Sequence, residues 1–277
     1  MNILIENRSA IVDGIVRACV AAGAAIMRIY DAGFTVTSKG DASPVTEADA
    51  AGEAIILAAL AVLLPGVPVV AEEEVSAGRV PDVADAFLLV DPLDGTKEFI
   101  SHNGDFTVNV ALIENGAPSL GVVYAPVERR LYVGDVARDE AWTALVDEAG
   151  SVGSHEAITV RAVPPEGIAA VASRSHSSPA TEAYLSGFDV ASRASRGSSL
   201  KICMVACGQA DLYPRLAPTC EWDIAAGDAV LRAAGGRLSA PDGTPMRYGK
   251  PRFFNPGFVA AGPLPTPPIA PYLDAGE

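Results

Sequence analysis

The sequence predicts a mixed protein of the α+β or α/β kind. Three observations carry this: two alanine-rich helical stretches at the start, short β-rich runs after them, and a regular alternation of strands and helices in the second half. Residues 8–30 place apolar side chains at helical spacing and stop before Gly33, a helix terminator, so they predict a long packed helix. After a polar connection, Pro44 ends whatever precedes it, Thr46 stands where an N-cap belongs, and Asp49 falls at the third helical position. That second helix ends at Pro65 and Gly66.

Apolar runs at 67–71, 86–90, 106–113, 119–124 and 130–135, separated by Gly, Pro and Asn turns, predict strands, several of them close enough in sequence to pair antiparallel. From about residue 156 the pattern becomes strand 168–173, helix 179–187, strand 190–195, helix 198–208, strand 210–213 and helix 222–235, which is the pattern of an α/β layer. The chain thus divides into an N-terminal α+β half, 1–155, and a C-terminal α/β half, 156–277. The proline-rich stretch 263–271 predicts a loosely attached terminus.

A chain of 277 residues buries enough apolar surface to fold without staples. Its four cysteines form no CxxC pair, and Cys203 and Cys207 merely stand one helical turn apart, so they are expected to be buried thiols in a reducing compartment. Glu6, Arg8, Asp13 and Arg17 interrupt the apolar N-terminus before it reads as a signal or a span, and the apolar run 51–64 contains Glu53 and is too short to cross a bilayer. The expectation is a cytoplasmic protein without a transmembrane segment, with peripheral association at an inner membrane left open and no oligomeric state implied. A net charge of −14 repels polyanions and argues against nucleic-acid polymers as partners. An anionic substrate would need a local reversal of the field, which bound divalent cations supply. Neither GxGxxG after a strand nor GxxxxGK[ST] is present, so oxidoreductase and kinase readings are weak.

The most informative run is 87–99. An apolar strand delivers Asp91, Pro92 follows, and Asp94 stands beside Gly95, which describes a strand running into a tight turn. Two carboxylates held this close either bind a cation or carry a raised pKa, and oxygen-only ligation favours magnesium, manganese or calcium over zinc. Alone, such a turn reads most simply as capping aspartates. Glu72 at another strand end, Asp223 opening a helix and Asp49 in the first turn of the second helix shift the balance, although acid at a helix start is common for dipole reasons. Haloacid-dehalogenase-type enzymes also place aspartates before Gly-Thr, but two residues apart; here the spacing is three with Pro92 between, which implies a water rather than an aspartate nucleophile.

The ordered pair Asp91-Pro-Leu-Asp-Gly-Thr96 and Trp222-Asp-Ile-Ala-Ala-Gly227 resembles the signature of the inositol monophosphatase superfamily. Within it the chain is most similar to the 3'(2'),5'-bisphosphate nucleotidases, through Ser43-Pro-Val-Thr-Glu-Ala-Asp49, Phe106-Thr-Val-Asn109, Gly121-Val-Val-Tyr-Ala-Pro126, Ser173-Arg-Ser-His176, Gly197-Ser-Ser-Leu-Lys201, Gly208-Gln-Ala-Asp-Leu-Tyr-Pro-Arg215 and Asn255-Pro-Gly-Phe258. The resemblance spans nearly the whole chain. It implies a layered αβαβα sandwich, with the metal site in the first half and the second half completing the substrate site. It also implies two or three magnesium ions held by Glu72, Asp91, the carbonyl of Leu93, Asp94 and Asp223. Water would be activated by Asp49 and Thr96 with Glu72 nearby. The substrate would be met by Gly95, Thr96, Lys97, His176, Ser198, Lys201, Arg215 and Asp223.

The implied reaction is hydrolysis of the 3'-phosphate of adenosine 3',5'-bisphosphate to AMP and phosphate. The 3'-phosphosulfate nucleotide is a second implied substrate, and the implied setting is sulfur metabolism with inhibition by lithium. The near alternative is another small-molecule phosphatase of the superfamily, such as one acting on inositol phosphate. The alternative of a different class is a non-catalytic nucleotide or metal sensor, against which the intact Thr96 and Asp49 speak. Lys201 is one of only four lysines and follows Gly-Ser-Ser at a helix start; taken alone it reads as a solvated helix lysine, and Glu73 as an exposed acid at a strand end.

Overall fold

The computed structural model describes residues 7–38, 44–173 and 178–273. In chain order the first half gives α1 (Arg8–Ala32), β1 (Val36–Ser38), β2 (Pro44–Thr46), α2 (Glu47–Leu63), β3 (Val69–Ala71), α3 (Glu72–Ser76), β4 (Ala86–Asp94), α4 (Thr96–Ile100), β5 (Thr107–Glu114), β6 (Ala117–Ala125), β7 (Arg130–Asp135), β8 (Glu140–Leu145) and β9 (Glu156–Ala157). The second half gives β10 (Ile168–Ser173), α5 (Pro179–Leu185), β11 (Val190–Arg196), α6 (Leu200–Ala206), β12 (Leu212–Arg215), β13 (Thr219–Cys220), α7 (Glu221–Ala233), β14 (Arg237–Ser239), β15 (Phe254–Asn255), β16 (Phe258–Ala261) and α8 (Ala270–Leu273).

Strands β3 to β9 lie in sequence order in one sheet, antiparallel throughout except that β3 runs parallel to β4. Successive side chains on a strand point to opposite faces, and here both faces are covered. Leu88, Val90, Val108, Val110 and Leu112 pack against Ile11, Ile15, Ile26, Ile56 and Leu60 of α1 and α2. Phe87, Leu89, Ala111, Ile113 and Val123 pack against Trp222, Ile224, Ala226 and Val230 of α7. Double coverage explains why these strands read as continuous apolar runs rather than as alternating ones.

The second sheet has the order β11-β10-β12-β16-β14. Its inner residues, Val171, Tyr213, Phe258 and Ala260, join the same core as α6 and α7. Its outer residues, Ile168, Ala170, Leu212 and Val259, meet Tyr184 and Leu185 of α5 together with Leu264 and Ile269. Five layers result: α1/α2, first sheet, α6/α7, second sheet, α5/α8. This is the αβαβα sandwich expected from the resemblance.

By length and hydropathy α1 could cross a membrane, but its apolar stripe lies in the core, and Arg8 is buried at its start. The Arg8 guanidinium donates to Asp135 at 3.1 Å and to Glu114 at 3.2 Å. Cys19 and Cys203 are buried, Cys207 and Cys220 half-buried, and all four are free thiols. The expected loose terminus at 263–271 is corrected: Ile269 is fully buried, and the Tyr184 hydroxyl donates to the Pro267 carbonyl at 3.0 Å. Proline density there reflects a fixed, non-helical path across the second sheet.

Glycines set how closely α7 lies on the first sheet. A Cβ on Gly121 of β6 would stand 2.3 Å from the Ala226 carbonyl oxygen, and one on Gly134 of β7 would stand 2.4 Å from the Val230 Cα. Both collisions are with helix backbone, which has no rotamer to yield. Gly134→Ala is therefore expected to cost at least about 3 kcal/mol, the upper end of overpacking penalties. Urea unfolding measures this, and an unchanged midpoint would contradict the close packing described.

Candidate active site

The parallel pairing of β3 and β4 sets Ala71 beside Val90, so the residues that follow, Glu72 and Asp91, lie at the same end of the sheet. Strand β4 does not stop at residue 90 as the sequence suggests. It continues through Asp91 and, after an irregularity in register, to Asp94, with Asp91 opposite Asn109 and Asp94 opposite Thr107 on β5. The two aspartates are therefore held by a ladder rather than by a turn. Helix α7 begins at the same end and brings Asp223, whose carboxylate accepts from the Cys220 N–H at 2.9 Å. Asp91 accepts from the Leu93 N–H at 3.0 Å and shares a hydrogen bond with Glu72. Asp94 accepts from the Ser199 N–H at 2.5 Å.

Burial dominates the electrostatics of this end of the sheet. It pushes Asp91 well above the ordinary carboxylate range, and Glu72, Asp94 and Asp223 push it further. Burial, then Asp94 and Glu72, lift Asp223 to about 8 against the opposing Cys220 N–H and Arg215. Asp94 is also raised by burial, although Lys201, the Ser199 N–H and Arg215 pull it down.

Asp49 is fully buried in the first turn of α2, where the expected capping box closes. Its Oδ2 accepts from the Thr46 N–H at 2.8 Å and from the Thr46 hydroxyl at 2.9 Å. Its Oδ1 faces the Thr96 hydroxyl at 3.4 Å, and that hydroxyl lies equally far from the Leu93 carbonyl. Thr96 has one proton and two long contacts, so it is free to turn to either. Burial outweighs the bonds from Thr46 and sets the Asp49 carboxyl at about 6, with Glu73 and Glu72 adding to the rise. Gly95, before Thr96, has φ of +99°, and a Cβ there would meet the Asp105 carbonyl at 3.0 Å, which is why the turn needs glycine.

A cavity of about 230 Å³ opens on these groups, lined by Glu72, Asp94, Gly95, Thr96, Lys97, Ser198, Lys201, Arg215 and Asp223 together with Glu98, Ser199, Tyr213, Thr219 and Phe258. Of the residues the sequence nominated, Asp49, Asp91 and Leu93 are buried and do not line this cavity, and His176 falls outside the described residues. Lys201 is not a solvated helix lysine: it is 4% exposed, with Nζ 5.5 Å from the centroid of the Tyr213 ring. Arg215 donates to the Pro218 carbonyl at 3.1 Å, which pins its side chain at the cavity.

Sequence reasoning missed Tyr213, Phe258 and Ser199, and it left Glu53 as a mere interruption of an apolar run. Glu53 lies one turn beyond Asp49, is buried, and accepts from the Glu73 N–H at 2.9 Å. Burial and then the neighbouring glutamates lift it to about 7. The four-residue spacing of Asp49 and Glu53 was the available signal. Glu73 is half-buried in α3, not an exposed strand-end acid, because the chain turns into a helix directly after β3.

Among the described residues no three His, Cys, Asp or Glu side chains already converge as a finished metal site. The donor set nonetheless fits hard divalent cations: every candidate is an oxygen, and the carboxylates raise one another's pKa, a repulsion that a cation between them removes.

An αβαβα sandwich with a carboxylate pocket at one end of its first sheet defines an inositol monophosphatase type of protein. The chain belongs to the inositol monophosphatase family, whose model matches residues 7–266. It is 47% identical over 241 residues to the 3'(2'),5'-bisphosphate nucleotidase CysQ of Escherichia coli K12, covering 86% of this chain and 94% of that one. It is 38% identical to the CysQ nucleotidase of Buchnera aphidicola, covering 90% and 92%. Among solved structures it is similar to CysQ from Bacteroides thetaiotaomicron, with a TM-score of 0.74, 37% identity, and 92% and 97% of the two chains covered. It is similar also to inositol monophosphatase from Anabaena, with a TM-score of 0.72, 26% identity, and coverage of 92% and 91%.

The raised carboxyls give a pH dependence of defined sign. Asp223 keeps its proton when folded up to about 8 but would lose it near 3.8 when unfolded. Between those values the folded chain binds more protons, so this contribution is full below about pH 4 and is lost as pH rises through about 8. Metal-free protein is expected to melt more than about 5 °C lower at about pH 8.5 than at about pH 5.5, with magnesium recovering more of the loss at the higher pH. Calorimetric melting at the two pH values, with and without magnesium, checks this; a loss that magnesium leaves untouched would contradict it.

Proposed function

We propose that this chain is a 3'(2'),5'-bisphosphate nucleotidase that hydrolyses the 3'-phosphate of adenosine 3',5'-bisphosphate to AMP and phosphate, and that it also accepts the 3'-phosphosulfate nucleotide. The observation that carries the reading is the buried Lys201 in the same cavity as the carboxylates, with Arg215 beside it. A monophosphate needs the acidic end alone. A second phosphate needs cations of its own, and Lys201 and Arg215 would meet it. The similarity to enzymes named 3'(2'),5'-bisphosphate nucleotidase supports the same reading.

Two or three magnesium ions would be held by Glu72, Asp91, the Leu93 carbonyl, Asp94 and Asp223. When bound they supply the positive charge that draws in the phosphate and stabilises the charge building on its oxygens. The chain's own groups do the rest. Asp49, at about 6, takes a proton near neutral pH, and the Thr96 hydroxyl turns between Asp49 and the Leu93 carbonyl to orient the attacking water, with Glu72 nearby. Water forms the new bond to phosphorus, the bond to the 3'-oxygen breaks, and that oxygen takes a proton to leave AMP. Gly95, Thr96 and Lys97 hold the phosphate under attack; Ser198, Lys201, Arg215 and His176 hold the rest of the nucleotide. The first half, 1–155, supplies most of the metal site. The second, 156–277, supplies Asp223 and the nucleotide contacts, and the enzyme works in the cytoplasm.

Asp94→Asn is expected to lower turnover by more than the roughly 10–100-fold that loss of an outer-shell partner costs, with the fold retained by circular dichroism. Full activity in that variant would remove the metal assignment. Phosphate release with magnesium from adenosine 3',5'-bisphosphate, inositol 1-phosphate and fructose 1,6-bisphosphate tests the substrate. The nucleotide should lead, and Lys201→Met should cut its kcat/KM by roughly 10–100-fold, as for a lost charged hydrogen bond, while sparing inositol 1-phosphate. Equal losses on both substrates would favour the inositol phosphatase reading.

A further inference from the structure

Resting on the nucleotidase reading above, we propose that Ser199 is a positioning residue that couples cation binding at Asp91 and Asp94 to nucleotide binding at Lys201. Ser199 is 3% exposed and immediately precedes α6. Its N–H donates to Asp94, and its hydroxyl sits 2.9 Å from the Asn109 Oδ1 and 2.8 Å from the Thr107 Oγ1. Asn109 Oδ1 can only accept, so the one Ser199 hydroxyl proton goes there and the Thr107 hydroxyl donates to Ser199.

The register gives these partners their meaning. Asn109 is the cross-strand neighbour of Asp91, and Thr107 that of Asp94. The hydroxyl is thus anchored to the two residues that stand directly opposite the two carboxylates, while the amide of the same residue holds Asp94 itself. Two residues further on, in the first turn of α6, Lys201 enters the cavity.

The preceding backbone has no slack. The Gly197 N–H donates to Asp105 at 2.8 Å, and a Cβ on Gly197 would stand 2.6 Å from Glu98 Cγ and 2.7 Å from the Asp105 carbonyl. Arg196 pairs with Asp105 at 3.3 Å and with Glu128, and Ser198 is held at φ +46°. A cation that fixes Asp94 therefore fixes the start of α6, and a nucleotide that fixes Lys201 acts back on Asp94 by the same path. Linkage requires the coupling to be reciprocal.

Calorimetric titration of the full chain with magnesium chloride alone, and with AMP at saturating magnesium, tests this. The chains compared are the wild type, Ser199→Ala, Thr107→Val and Thr107→Ser. Ser199→Ala should weaken magnesium by about tenfold or more, the cost of an outer-shell partner, and weaken AMP as well. Thr107→Val keeps the shape and loses the hydroxyl, so it should shift both affinities in the same direction, whereas Thr107→Ser keeps the hydroxyl and should stay near the wild type. A merely structural role predicts lower melting temperatures with unchanged affinities at 25 °C. Ser199→Ala and Thr107→Val binding magnesium and AMP within twofold of the wild type would overturn the inference. The magnesium arm contains no nucleotide, so failure of the nucleotidase reading shows separately, as a wild-type chain that binds magnesium but releases no phosphate from adenosine 3',5'-bisphosphate.

Discussion

Repulsion between buried and half-buried carboxylates at one end of the first sheet is the interaction to which the rest of the site responds. Glu72, Asp91, Asp94 and Asp223 come from three stretches of chain, and desolvation together with their mutual field keeps Asp91 and Asp223 protonated far above their ordinary range. Such an arrangement costs stability unless something offsets it, and the protein supplies local offsets. The N–H groups of Leu93, Ser199 and Cys220 each donate to one of the carboxylates, and Lys201 and Arg215 stand close enough to lower Asp94. Bound cations would complete the compensation. They would also let a chain of net charge −14 receive an anionic substrate.

The packing that permits this end of the sheet is built around α7. One helix carries Asp223 into the site and Trp222 into the core, and it presents small residues to a sheet whose Gly121 and Gly134 let the backbones approach. Gly227 turns the other way, where a Cβ would stand 3.1 Å from Ile202 of α6. The Trp-Asp-Ile-Ala-Ala-Gly run thus packs the helix against the sheet and places a carboxylate in the cavity at once. The buried Glu221 fixes the entry of the helix by accepting from the Gly249 and Lys250 N–H groups at 2.7 and 2.9 Å and by pairing with the Lys250 ammonium. Further along, Asp228 accepts from Arg232 and Tyr248, both at 2.8 Å. Removing one partner from either pair would strand a buried carboxylate, which is costlier than the pair is stabilising.

Positional precision in the site comes from joining two sheets that belong to different halves of the chain. Asp94 is held by β4 and β5 and Thr96 by α4 directly after it, Lys201 and Arg215 by α6 and β12. The hydrogen bonds from Gly197 and Ser199 to Asp105, Asp94 and Asn109 cross that boundary. A catalytic geometry that must hold within fractions of an ångström is better served by such cross-links than by loops alone.

The amino-acid sequence by itself determined what depends on near neighbours. The capping box of Thr46 and Asp49, the ends of α1 and α2, most strands of the first sheet and the acidic run Asp91 to Thr96 are set by residues within a few positions of one another, and their spacing was readable. Strands β8 and β9 and the four-residue β16 were not, because their apolar pattern is too short to stand out before a sheet exists to receive them. Only the tertiary structure decided that Lys201 is buried, that Glu53 supports Glu73, and that Ser199 meets Thr107 and Asn109 some ninety positions away. The physical reason is one of range. Propensity and periodicity act over a turn or a strand, whereas desolvation, carboxylate repulsion and cross-sheet hydrogen bonds act between groups that only the packed layers bring together.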